Sequence, residues 1–110
     1  MLALKLTPAQ ASFLEVEIIA RHIDDDDDDN RSVCWVLLDS FIKSKGTRVN
    51  VEDRGALQVM ILEAINAIDA EIANHNQGDA RALDRIGGVD TIQDAMALHR
   101  SGRTVLAKIR

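Results

Sequence analysis

From Leu57 to Ile72 the chain sets apolar side chains at Leu57, Met60, Ile61, Ala64, Ile65, Ile68 and Ile72. Intervals of three and four residues put all seven on one side of an α-helix, where about 3.6 residues make a turn. As a strand, the same segment would send much of this apolar set into water, because successive strand side chains alternate between faces. Asn50-Val51-Glu52-Asp53 supplies a cap and first-turn acids ahead of the stripe, and His75-Asn76-Gln77-Gly78 ends it. The pattern predicts a helix over residues 51–74. Val59 and Leu62 fall off its stripe, beside Asn66 and Ala73.

Two more helices come from the same reasoning. Thr7-Pro8-Ala9-Gln10 has the spacing of a capping box with proline at the first helical position, which predicts a helix over 8–23. Its apolar residues form two stripes. Phe13, Val16, Ile19, Ala20 and Ile23 make the broader one, and Ala11, Leu14 and Ile18 the narrower. A helix with two stripes calls for two neighbours. Over residues 31–45, closed by Gly46, the side chains of Val33, Cys34, Trp35, Leu37, Leu38, Phe41 and Ile42 sweep roughly 200° of circumference, which predicts a central position. Asp79 to Ile86, stopped by Gly87-Gly88, and Asp90-Thr91-Ile92-Gln93 onward to Gly102 each suit a short helix. No alternating segment calls for a strand. The fold class expected is all-α: a small bundle of three main helices, 8–23, 31–45 and 51–74, with one or two short C-terminal helices. Residues 1–110 make one domain, with 103–110 (RTVLAKIR) read as a basic tail that is a last helical turn, extended or flexible.

Composition narrows the function classes. Aromatics are limited to Phe13, Trp35 and Phe41, so the core is aliphatic. One cysteine, Cys34, excludes an intrachain disulfide, and its place on an apolar arc predicts a buried structural thiol. The opening MLALKLTPAQ lacks a basic stretch followed by an apolar run, and Val33 to Leu38 is far short of a membrane span, so a cytoplasmic setting is expected. Net charge is −5, with 11 acids and 6 bases in residues 1–53 and 7 of each in 54–110. This balance disfavours direct nucleic-acid binding through a broad basic face. Only the last eleven residues reverse the sign, with Arg100, Arg103, Lys108 and Arg110 and no acid.

The six consecutive aspartates Asp24, Asp25, Asp26, Asp27, Asp28 and Asp29 separate two apolar segments. Negative charge disfavours a helix C-terminus and favours an N-terminus, so the run is read as the stop of one helix and the start of the next. Its spacing matches the DDxxD diphosphate motif of isoprenoid synthases, but six aspartates satisfy any such spacing and no second acidic motif appears. An EF-hand loop begun at Asp28 fails because Val33 stands where glycine is needed. Weak divalent-ion binding and mimicry of nucleic-acid phosphates toward a basic protein groove are the functional alternatives.

His22 and Asp26 would make a metal corner only if the helix over 8–23 continued into the aspartate run. His75 and His99 have no Cys or second His at ligand spacing, and no nucleophile elbow, phosphate-binding loop or dinucleotide fingerprint occurs. The expectation is a non-enzymatic protein–protein interaction module without metal or cofactor, forming a homodimer or small homo-oligomer. Leu14, Ile18, Trp35, Val59 and Leu62 are its candidate interface residues. The alternative is an acidic inhibitor that occupies a basic groove of another protein through Asp24–Asp29.

Overall fold

The computed structural model describes residues 2–87 and 89–110, so the second glycine of the Gly87-Gly88 helix stop lies outside the described residues. Strand β1 (Leu2–Lys5) leads into α1, a single rod of three stretches: α-helical Pro8–Phe13, π-helical Leu14–Ile19 and α-helical Ala20–His22. Helix α2 (Asp28–Lys43), strand β2 (Arg48–Val51), helix α3 (Arg54–Asn76), a 3₁₀ turn (Leu83–Arg85) and helix α4 (Ile92–Ile109) complete the chain order. Four helices among the described residues make the class all-helical in the main. The radius of gyration, 13.7 Å, is near the ~13 Å expected of a compact chain this long.

The strand ribbon corrects the reading that no segment forms a strand. β1 and β2 pair antiparallel with Leu2 opposite Val51, Leu4 opposite Val49 and Lys5 opposite Arg48. The alternation was present in Leu2, Leu4 and Leu6 and in Val49 and Val51. Each segment alone is only four residues, and the partner lies more than forty residues away. Leu4, Val49 and Val51 are buried beneath the ribbon, and Leu6 N–H extends it by donating to Thr47 O at 2.8 Å. Buried Ser40 ties the ribbon to α2, its Oγ accepting from Asn50 N at 2.8 Å.

Helix boundaries moved where side chains had a second use. Val51 belongs to β2 and is buried, so Asp53, not Asn50, caps α3 by accepting from Ala56 N at 3.0 Å. α2 starts at Asp28 rather than at residue 31, because Asp27 accepts from the Asp29 and Asn30 N–H groups. It ends in a tight turn where Lys45 and Gly46 both have positive φ and Gly46 N–H donates to Phe41 O at 2.8 Å. The expected helix over 79–86 contracts to the single 3₁₀ turn, closed by i to i−3 bonds at Arg85 and Ile86.

The π-helical stretch is the main departure inside α1. Ala20 N–H reaches back five residues to Glu15 O, which inserts an extra residue into the turn and shifts the phase of the residues beyond it. Residues of both apolar stripes are buried within the chain, Phe13, Leu14 and Ile18 fully and Ile19 nearly so, while Val16 and Ile23 are half-buried and Ala20 is exposed. α3 is the central helix rather than α2, touching α1, α2, α4 and the 3₁₀ turn.

Gly102 does not stop α4. The helix runs on to Ile109, and the tail is its last two turns with Val105, Leu106 and Ile109 buried. A Cβ on Gly102 would lie 2.6 Å from Phe13 Cε2 and 3.1 Å from Ile65 Cγ1, so glycine is what allows α4 to approach α1 and α3. Gln10, itself buried, locks this crossing by donating from Nε2 to Thr104 Oγ1 at 3.0 Å while accepting from Lys108 Nζ at 2.7 Å. Replacing glycine by alanine inside a helix gains about 1 kcal/mol in propensity, whereas overpacking a close-packed site costs about 1–3 kcal/mol. Phe13 is fully buried and has nowhere to retreat. Gly102→Ala is therefore expected to lower the thermal midpoint and Gly102→Leu to lower it further, read by circular dichroism melts. A raised midpoint in the alanine variant would contradict the crossing.

Candidate functional site

The proposed interface residues fall into two groups. Leu14 and Ile18 are fully buried within the chain and have no surface to offer a second one. Both sit in the π-helical stretch of α1, which packs against α2 and α3. Trp35 (55% exposed), Val59 (55%) and Leu62 (41%) face outward. Ile42, at 66%, is the most exposed large apolar residue among the described residues, and Met96 joins the set. Trp35 and Ile42 stand seven residues apart on one side of α2, with partly buried Leu38 between them. The interior of α2 is used on the other side, by Val33, Cys34 and Leu37. Ile42 was already visible in the sequence as part of the wide apolar arc of α2. What the arc could not show was which part of it the ribbon and α1 would cover.

The aspartate run folds partly onto itself. Asp25 accepts from His22 Nδ1 at 2.9 Å, from Asp27 N at 3.2 Å and from Asn30 Nδ2 at 3.3 Å. Asp27 caps α2, and Asp28 pairs with Arg31, which also donates to Asp25 O at 3.0 Å. Only the carboxylates of Asp24, Asp26 and Asp29 lack a protein partner among the described residues. Three of the six thus have local structural work, in keeping with a helix stop and start. No group of three His, Cys, Asp or Glu side chains among the described residues is arranged to hold a metal ion.

The basic residues of the tail occupy the outer side of α4. Arg100, Arg103 and Arg110, with Thr104, Leu106 and Ala107, line an open cleft of about 450 Å³. Arg100 and Arg103 continue into a smaller cleft with Met96, His99, Asp69 and Ile72. Lys108 is tied down instead, donating to Lys5 O and Gln10 Oε1, both at 2.7 Å.

One polar residue escapes the sequence pattern altogether. The four-residue spacing of Glu17 and Arg21 places both at the edge of an apolar stripe, yet Glu17 is 2% exposed, carried inward by the π-helical phase shift. Arg21 Nε donates to its Oε2 at 3.1 Å, while Oε1 has no partner among the described residues. Burial pushes this carboxyl above the usual carboxylate range against the opposing pull of Arg21. No helical periodicity at 100° per residue would have found it.

No family model matches this chain, and neither the curated proteins nor the solved structures contain a match. Among the described residues no helix is long and apolar enough to cross a membrane.

Two titrations test this arrangement. Hydrogen bonds from His22, Asp27 N–H and Asn30 hold the half-buried Asp25 carboxyl down to about 2, against 3.8 for a free aspartate. A folded value below the unfolded one contributes stability that is present above 3.8 and fades as pH falls toward 2. His22→Ala should raise the Asp25 titration toward 3.8, followed by carboxyl-carbon NMR, and should flatten the acid limb of the stability curve over that window. Burial, with a smaller contribution from Asp25, pushes the Cys34 thiol up to about 11. The folded protein should resist alkylation near neutral pH and react only once unfolded; rapid labelling of the native chain would contradict the burial.

Proposed function

We propose that this protein is a non-enzymatic interaction module that pairs with a second copy of itself through the outer side of α2. The observation that carries the reading is the exposed Trp35–Ile42 stripe, in a chain that buries its two phenylalanines wholly or in part. Tryptophan at a solvent-facing position forfeits a large favourable burial, and aromatic anchors dominate interface energetics.

Charge complementarity supports the second copy as the partner. The N-terminal end of α2 is acidic, at Asp28 and Asp29, and its C-terminal end leads into Lys43, Lys45 and Arg48. Two α2 helices laid antiparallel across a two-fold axis bring the acidic end of each beside the basic end of the other. The same arrangement sets Trp35 of each copy over Ile42 of its mate, as an isologous interface requires. Helix dipoles also oppose favourably in that orientation. Val59 and Leu62 offer a smaller apolar pair on α3 that can extend a contact but not anchor one. A cytoplasmic setting goes with this reading, since the single cysteine is a buried free thiol.

A second reading, an acidic inhibitor docking into a basic groove through Asp24–Asp29, is favoured by one observation: Asp24, Asp26 and Asp29 keep carboxylates unclaimed by the fold. Light scattering at low and high salt separates the two. Self-association through an apolar stripe gives the mass of two chains at both, with only a modest loss at high salt. A decoy alone is a single chain throughout. Trp35→Glu and Ile42→Glu should each yield the mass of one chain with unchanged far-ultraviolet circular dichroism. Two-chain mass in both variants would reject the α2 interface.

A further inference from the structure

The cleft beside Glu17 has the chemistry of a binding site that self-association does not use. Glu17 lines two neighbouring clefts between α1 and α3. One, of about 440 Å³, is completed by Arg21, His22, Glu63, Ala64 and Ala67. The other, of about 270 Å³, reaches Ile68, Glu71, Arg85 and Ile86. The Gly87 backbone closes in beside them. A Cβ there would come within 3.1 Å of Val16 Cγ1 and 3.6 Å of Glu17 Oε1, crowding the buried, unpartnered oxygen.

A buried carboxylate oxygen without a donor is costly, so the chemistry at Oε1 asks for an N–H or O–H from outside the described fold. A metal ion is not the natural answer, because no trio of ligating side chains gathers here among the described residues. The cations at hand are already engaged. Arg21 is held by Glu17 Oε2, and Arg85 by Glu71 and Asp79. Glu63, on the facing wall of the larger cleft, is exposed and in no ion pair among the described residues. With Arg21 paired to Glu17 and His22 paired to Asp25, Glu63 is the carboxylate of the larger cleft left without a cation among the described residues. Ala64 and Ala67 make its floor small and apolar. Its volume is within the range of small-molecule sites.

We propose that this cleft binds a small primary alkylammonium ion, whose N–H groups supply Glu17 Oε1 and face Glu63 while its alkyl chain lies on Ala64 and Ala67. The requirement is for a donor as well as a charge. A quaternary ammonium has no N–H to give, and an alcohol of equal length has no charge.

Nitrogen–proton correlation NMR of the full chain, titrated at constant ionic strength with butylammonium chloride, tests this directly. Tetramethylammonium chloride and 1-butanol serve as parallel controls. Butylammonium should give saturable shifts at the amides of Glu17, Ala64 and Ala67, and neither control should saturate there. A hydrogen bond to a charged group is worth enough that Glu17→Gln should bind about tenfold more weakly or worse. Glu63→Gln, altered only at the surface, should weaken binding severalfold and decides the matter if Glu17→Gln fails to give a dispersed spectrum. Equal affinity in a folded Glu17→Gln, equal saturation by tetramethylammonium, unchanged binding in Glu63→Gln, or no saturable shift in the wild type would each overturn the proposal.

Discussion

The contact on which the rest depends is Phe13 lying against α4 at the one position in that crossing where α4 carries no side chain. With 2.6 Å between Phe13 and a would-be Cβ of Gly102, the approach of α1 to α4 leaves no slack. It lets α4 run antiparallel along α3, pairing Gln58 Nε2 with Ile109 O at one end and His99 with Asp69 toward the other. Once α4 is seated, the last two turns of the chain become part of the core. Gln10 and Lys108 then tie the start of α1 and the end of β1 to the end of α4. Chain ends that would otherwise fray are held by each other.

The π-helical stretch of α1 complements this crossing. On a regular helix the two apolar stripes would lie on nearly opposite sides, about 170° apart at 3.6 residues per turn, and both are covered only where the helix has neighbours on both sides. With its widened turn at Leu14–Ile19, α1 lies against α2, α3 and α4 and buries Leu14, Ile18 and Ile19. The cost is carried by Glu17, which is drawn into a nearly dry position with only one oxygen satisfied. π-helical turns of this kind are frequent at functional sites, and here the stretch places a carboxylate where two clefts meet. Uncovered apolar surface lies elsewhere, at Val59 and Leu62 on α3, at Met96 on α4, and on α2 at Trp35 and Ile42, where the acidic and basic ends of the helix give it a direction.

The aspartate run is a hinge between these themes. Asp25 and Asp27 organise the turn, and Asp27, Asp28 and Asp29 begin α2 in the sense the helix dipole favours. Protein partners at Asp25, Asp27 and Asp28 account for half of the six carboxylates without a ligand. It also sets the acidic character of one end of α2, so the same residues that start the helix polarise its exposed face.

Helical class, the core stripe of α3, the Thr7–Gln10 capping box and the burial of Cys34 were all legible from spacing and residue type. These signals are local: they depend on neighbours within a turn or two, and tertiary packing agrees with them. The strand ribbon, the interior position of Leu14, Ile18 and Glu17, and the passage of α4 through Gly102 were not legible. Each depends on a partner far along the chain: Val49 and Val51 for Leu2 and Leu4, a changed turn period for α1, the ring of Phe13 for Gly102. Local sequence determined which segments are helical and which sides of them are apolar. Tertiary structure alone decided which apolar sides meet, because glycine reads as a helix end until another helix needs the space its missing side chain leaves.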